Sequence, residues 1–201
     1  MKEYKNKTLK FRLLNYTNLI IRSSKQLNLL LCINLISLFG CSSLNNRQEF
    51  DACINSSYPC LKSTEYVLII TNKGNIKLEL YGKLAPITVG SFVDFVEKGS
   101  YDKTIFNRVI SEPYPFIIRG GDNSLINGEN KFIDSKTGKI RYIPLEIKLK
   151  TNKLPIYGRE VDVSNRKNNI ELKHKRASIS MARSKNINSG SSQFYISLKS
   201  L

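Results

Sequence analysis

The stretch from Tyr66 to Tyr81 constrains the fold more than any other part of the chain. Two β-rich runs, Tyr66-Val-Leu-Ile-Ile-Thr71 and Ile76-Lys-Leu-Glu-Leu-Tyr81, flank Asn72-Lys-Gly-Asn75. Branched and aromatic residues on either side of an Asn/Gly turn predict a β-hairpin. The second run alternates apolar with polar, so one of its faces is covered and the other wet.

What covers that face follows directly. Ala85 to Lys98 places Val89, Phe92, Val93 and Val96 at helical spacing, with Pro86 suited to the first turn and Gly99 to the stop. This is an amphipathic helix packed on a sheet. Short strand candidates follow at Thr104–Ile110, Phe116–Arg119, Tyr142–Ile147, Ala177–Ala182 and Gln193–Leu198. Residues 123 to 175, rich in Asn, Lys and Gly, read as long surface loops around one extended piece. Many short strands and few helices predict a mainly β domain with a capping helix, a barrel or a sandwich.

The chain of 201 residues has room for one such domain and a leader. Residues 1–26 are basic and polar, and residues 27–40 form an apolar run ending at Cys41. Fourteen helical residues span about 21 Å, short of a ~30 Å hydrocarbon core, so the run reads as a signal peptide rather than a membrane span. Leu38-Phe39-Gly40-Cys41 is similar to a bacterial lipobox, with Cys41 the residue to be lipidated, although Phe39 is bulkier than usual. A plain cleaved signal and an uncleaved anchor are the alternatives. The predicted organisation is leader 1–41, linker 42–63 and domain 64–201. The protein is then extracytoplasmic, membrane-anchored or secreted. In an exported chain Cys53 and Cys60 can pair; otherwise they are two free thiols.

Charge and composition exclude several functions. The net charge is +16, and +10 remains beyond the leader because only seven of the 32 basic residues and one of the 16 acidic residues precede Ser42. The bases are scattered among Asn and Ser rather than striped with aromatics, which argues against a nucleic-acid groove. The one histidine, His174, lies far from every cysteine, so no metal site is expected. There is no Gly-x-Ser-x-Gly, no phosphate-binding loop and no His-Glu-x-x-His.

What remains is an ordered set of short motifs. These are Thr71-Asn-Lys-Gly-Asn-Ile-Lys-Leu-Glu-Leu80, Ala85-Pro-Ile-Thr-Val89, Ser91-Phe92, Gly99-Ser-Tyr-Asp102, Phe106-Asn-Arg-Val-Ile110, Phe116-Ile-Ile-Arg-Gly-Gly-Asp122, Ser180-Met-Ala-Arg183 and Ser191-Ser-Gln-Phe-Tyr-Ile196. In order and spacing they resemble the cyclophilin family of peptidyl-prolyl cis-trans isomerases, from about Tyr66 to Leu198. The resemblance implies a closed eight-stranded antiparallel barrel capped by two helices, with the site on its outer face. It implies Arg108 as the catalytic arginine and Gln193 orienting the substrate backbone. Phe116, Ile117 and Tyr195 would line the proline pocket, and the main chain of Ala182 and Arg183 would pair with the substrate. Strand alternation independently puts Gln193 and Tyr195 on one face and Phe194, Ile196 and Leu198 on the other; it also puts Phe106, Arg108 and Ile110 together. No cofactor or metal is implied; the partners are proline-containing polypeptides and, through the lipid, a membrane, for a protein expected to be a monomer.

Three departures from the pattern stand out. Asn107 replaces a frequent His, with little expected effect. Arg119 stands where the family usually has Gln, beside Arg108; at ~7 Å and a dielectric of 20–80 the repulsion is about 0.6–2.4 kcal/mol, so reduced activity is expected. The family pattern also continues past Leu201 with more pocket wall, strands and a second helix, so an incomplete barrel is expected. Two rival readings follow: a membrane-tethered peptide-binding or chaperone module with little or no catalysis, and a non-functional remnant.

Overall fold

The structure is a computed structural model describing residues 51–54, 56–122, 132–134, 137–165 and 169–201, together with the backbone of residues 10–13. The leader, its Cys41 and the start of the linker lie outside the described residues, apart from that short backbone segment.

The hairpin forms as its sequence requires, from β2 (Thr64–Thr71) and β3 (Gly74–Tyr81). They pair antiparallel with Val67 opposite Leu78 and Ile69 opposite Ile76, and Val67, Ile69, Leu78 and Leu80 all point into the core. A third strand, β1 (Lys10–Leu13), lies antiparallel on the outer edge of β2. Its residues fall within the segment read as leader, where composition alone gives no sign of a strand.

Helix α1 (Pro86–Glu97) packs on this sheet through Ile87, Val89, Phe92, Val93, Phe95 and Val96, all buried. Its start has no side-chain cap of its own, since Ala85 occupies the cap position. The free amides of Ile87 and Thr88 donate instead to the carboxylate of Glu146, at 3.0 and 2.6 Å. A remote carboxylate thus fills the role usually taken by Ser or Asp, and it also suits the positive end of the helix. The helix ends at Lys98, and Gly99 turns the chain away at φ +64°, the left-handed region that favours glycine.

A second sheet carries β4 (Arg108–Ile110), β5 (Ile117–Gly120), β8 (Ile179–Met181) and β9 (Phe194–Ser197) in the order β4-β5-β9-β8, all antiparallel. Its inner face presents Ile118, Ile179, Met181, Phe194 and Ile196 to the core. Aromatic edges lock that core: Phe194 packs nearly perpendicular to Phe92, Tyr101 and Phe106. A two-stranded sheet, β6 (Glu146–Ile147) with β7 (Ile156–Tyr157), completes the elements. The architecture is mainly β with one helix. Among the described residues the three sheets do not close into a barrel.

Three sequence expectations need correction. Phe106 does not share the face of Arg108: regular strand begins only at Arg108, so strand alternation does not extend back to Phe106, which packs inward against Phe194. Residues 123 to 175 are not merely surface loops, because Phe132, Arg141, Ile143, Leu149 and Ile156 are all buried. The end of the linker is part of the domain: Leu61 N–H donates to the Pro86 carbonyl, Gly82 N–H donates to that of Ser63, and Leu61 packs against the core.

Candidate functional site

The residues singled out from sequence gather on the outer face of the second sheet. Register puts Arg108 opposite Arg119, Arg119 opposite Tyr195 and Tyr195 opposite Ser180. Directly opposed residues share a face, so these four form one row across β4, β5, β9 and β8. Ile110 and Ile117 form the neighbouring row on the same face. Phe116 precedes β5, tied by its N–H to the Ile110 carbonyl, and keeps 39% of its surface exposed, with the Lys199 ammonium 5.9 Å from its ring centre. Arg108 is exposed, while Arg119, Ile117 and Tyr195 are half-buried.

Beside the row lies a cleft of about 500 Å³ lined by Arg119, Phe132, Tyr142, Ala182, Arg183 and Gln193, among others. Arg119 belongs to both row and cleft and joins them. Arg108, Phe116, Ile117 and Tyr195 do not line the cleft. The expected pairing of the Ala182 main chain with a substrate is partly used up: its N–H already donates to the Gln193 carbonyl at 2.8 Å. The Arg183 guanidinium reaches Glu160 at 3.3 Å, an exposed pair of small energetic weight.

The scaffold beneath the cleft is tied together by hydrogen bonds between segments distant in sequence. Tyr101, wholly buried, donates its hydroxyl to the Ser192 carbonyl at 2.9 Å, and Ser192 Oγ donates to the Gly121 carbonyl at 2.9 Å. Gly121 has φ +79°, and a Cβ there would stand 2.4 Å from the Ser192 carbonyl oxygen. Only glycine lets the two chains approach this closely. That contact sets the position of Gln193. Asn107 donates to Asp122 at 2.9 Å, so its amide braces the turn after β5 from behind the row.

Sequence reasoning set His174 aside, yet it sits on the site. Its Nδ1 lies 3.1 Å from both Tyr195 Oη and Ser180 Oγ, and its ring stacks at 16° to that of Tyr195. Nothing in the Lys-rich stretch around it signals this. The segment is placed by backbone bonds to β9, with Ala177 N–H donating to Ser197 and Ser197 N–H to Ser178.

Chemically, the row offers permanent cations beside an aromatic ring and two aliphatic side chains, and the cleft offers polar backbone and an amide. Among the described residues no cluster of His, Cys, Asp and Glu is arranged to hold a metal ion. Cys53 and Cys60, away from this face, are joined as a disulfide with Cα atoms 5.9 Å apart.

A family model, cyclophilin type peptidyl-prolyl cis-trans isomerase/CLD, matches residues 66–201. The chain belongs to this cyclophilin-type family. Among its relatives is a protein of Synechocystis sp. named as a thylakoid lumen peptidyl-prolyl cis-trans isomerase. It is 41% identical over 51% of this chain and 26% of its own length. Peptidyl-prolyl cis-trans isomerase A of Dickeya dadantii is 33% identical over 68% of this chain and 55% of its own. A spliceosome-associated CWC27 homolog of Xenopus laevis is 48% identical over 28% of this chain. The chain therefore spans about a quarter to a half of the first two relatives. The cyclophilin-type match covers the hairpin from Tyr66 onward, α1 and the whole of the row and cleft.

Proposed function

We propose that this chain is a peptidyl-prolyl cis-trans isomerase that rotates X-Pro bonds in extended polypeptides. The observation that carries the reading is the cross-strand row, which sets Arg108 on the same outer face as Tyr195, Ile117 and Ile110. Rotation about a prolyl amide faces a barrier of ~18–20 kcal/mol because the nitrogen lone pair is shared with the carbonyl. Uncatalysed, the step takes roughly 10–100 s. No bond breaks, so no nucleophile, metal or cofactor is called for. As the nitrogen becomes pyramidal its lone pair localises, and Arg108 donates to it. Phe116, Ile117 and Tyr195 hold the ring, while Gln193 and the main chain at Ala182 and Arg183 fix the flanking peptide. Because the Ala182 N–H is engaged by Gln193, its carbonyl is the group left for the substrate. A ~10⁴-fold acceleration asks for about 5.5 kcal/mol of differential stabilisation, within reach of one charged hydrogen bond plus orientation.

The test is exchange spectroscopy on a proline tetrapeptide. Arg108→Ala should lose most of the acceleration; equal rates for the two proteins would overturn the assignment.

The site of action we place outside the cytoplasm, among exported proteins. Supporting this are the leader, the relative named for a thylakoid lumen, and the Cys53–Cys60 bridge, which persists in oxidising compartments. Lipidation of Cys41 would then tether the domain to a membrane. Cleavage before Cys41 and the pairing of β1 with β2 exclude each other, because cleavage removes Lys10–Leu13. The mass of the mature chain decides between them.

A further inference from the structure

The site carries more positive charge than rotating a neutral amide requires. Arg108 and Arg119 stand directly opposite each other across β4 and β5. Like charges so placed destabilise a sheet unless something answers them. Among the described residues neither guanidinium has an ion pair or a side-chain hydrogen bond. The Nε of Arg119 is, moreover, buried without an acceptor. A buried donor left unpaired is destabilising, and a ligand acceptor would relieve that cost. Asp122, a carboxylate that shares the cleft lining with Arg119, accepts from Asn107 at 2.9 Å. Arg183, on the same wall, is held by exposed contacts at 3.3 Å, to the Glu160 carboxylate and to the Ser184 carbonyl.

We infer that the substrates this site prefers are acidic: proline peptides with a Glu or Asp at one of the two positions preceding the proline, whose carboxylate is received by Arg119 where the row meets the cleft. The inference rests on the isomerase reading and names its substrate class. A guanidinium matches a carboxylate with two parallel N–H donors, so the contact is directional as well as charged. A carboxylate there also relieves the repulsion between Arg108 and Arg119. This leaves Arg108 free for the prolyl nitrogen, and an uncharged peptide lacks that effect. A lysine at the same place would add a third cation and be rejected.

The experiment uses the full chain and peptides of the form Ala-Xaa-Pro-Phe and Xaa-Ala-Pro-Phe, with Xaa as Glu, Gln or Lys. Isomerisation is read by exchange spectroscopy and binding by chemical-shift titration. In at least one series, Glu should exceed Lys roughly tenfold in kcat/KM and in affinity, with Gln between. Raising salt from 0.1 to 1 M should shrink the ratio, because exposed charge is screened over ~3 Å rather than ~10 Å. Arg119→Gln should bring the Glu-to-Lys ratio close to one, whatever it does to the absolute rate. A wild-type ratio within twofold at both positions overturns the inference while leaving the isomerase reading intact. Preferential binding of the Glu peptide without catalysed exchange supports the acidic site and removes the isomerase reading. Absence of both binding and exchange overturns the two together.

Discussion

Replacing Arg141 with Met tests whether the cleft wall is held by charge. The Arg141 side chain is 5% exposed, and its guanidinium lies 2.8 Å from Asp94 and 2.9 Å from Asp134, with its plane over the Phe95 ring at 4.6 Å. Those carboxylates are themselves only 22% and 11% exposed. Methionine keeps most of the volume and the contact with Phe95 but removes the cation, so two shielded carboxylates lose their partner. Breaking such an arrangement from one side costs about 3–5 kcal/mol. For a domain of this size that corresponds to roughly 10–20 °C in Tm. The pH dependence distinguishes lost charge from lost packing. Burial raises the Asp94 carboxyl, but hydrogen bonds from Lys98 and Arg141 together with their charge outweigh it and hold the group below the ordinary carboxylate range. Its contribution is therefore present above the ordinary value and disappears as pH falls through the depressed one. The gap between wild type and Arg141→Met should be full at pH 7, still nearly full at pH 5, and should narrow as pH falls from there toward pH 2 in urea melts followed by circular dichroism. A triple variant, Asp94→Asn, Asp134→Asn and Arg141→Met, should recover much of the loss. A gap below about 1 kcal/mol at pH 7, or one unchanged between pH 5 and pH 2, would refute the reasoning. Because Ile140 and Tyr142 flank Arg141 on the cleft wall, KM for peptides should rise with the instability.

Two further changes probe the supports of the site. Gly121→Ala forces a side chain into a left-handed backbone and against the Ser192 carbonyl; the expected loss is above about 2 kcal/mol in denaturant melts, with kcat falling because Gln193 is displaced. Glu146→Gln tests the remote cap on α1. Burial raises the Glu146 carboxyl, and the hydrogen bonds from Thr88 and Ile87 only partly offset it. The folded state therefore binds its proton more tightly than the unfolded chain does. The stability this confers is complete below the ordinary carboxylate value and is lost as pH rises through the raised one. The advantage of wild type over Glu146→Gln should thus be largest near pH 4 and smaller at pH 7; a constant difference across that range would contradict the assignment.

Much of this was legible in the chain because local pattern and global packing agree. The β2–β3 hairpin, α1 and the inward set Phe194 and Ile196 follow from period alone, since each element buries a face that its sequence marks as apolar. Arg108 and Arg119 were recoverable only through motif order, because an exposed arginine carries no signal of its own, whereas alternation along Gln193–Leu198 also turns Tyr195 outward. The remaining features depend on contacts distant in sequence. Glu146 caps a helix that begins 60 residues earlier, and the sequence around Ala85 shows only that a cap is wanting. Arg141 sits in an Asn- and Lys-rich region whose polarity suggests solvent, yet two carboxylates and a phenyl ring make its burial possible. His174 reaches Tyr195 because backbone bonds fold its segment over β9, which no pattern in Leu172-Lys-His-Lys-Arg176 foretells. Phe106 goes the other way for a local reason: regular strand starts only at Arg108, so alternation does not govern the residues before it.

The coupling between core and site follows from the same strands. β5 and β9 place Ile118, Phe194 and Ile196 inward and Arg119 and Tyr195 outward, one residue out of phase. A slip of one residue would bury a guanidinium and a phenol while exposing the centre of the core, so register is fixed by the cost of the alternative. The geometry of the row is thus not maintained by contacts among its own members, two of which repel each other. It is imposed from beneath, by the aromatic edges around Phe194 and by the Tyr101–Ser192–Gly121 bonds, and this lets the outer face carry two guanidinium groups that have no ion pair among the described residues.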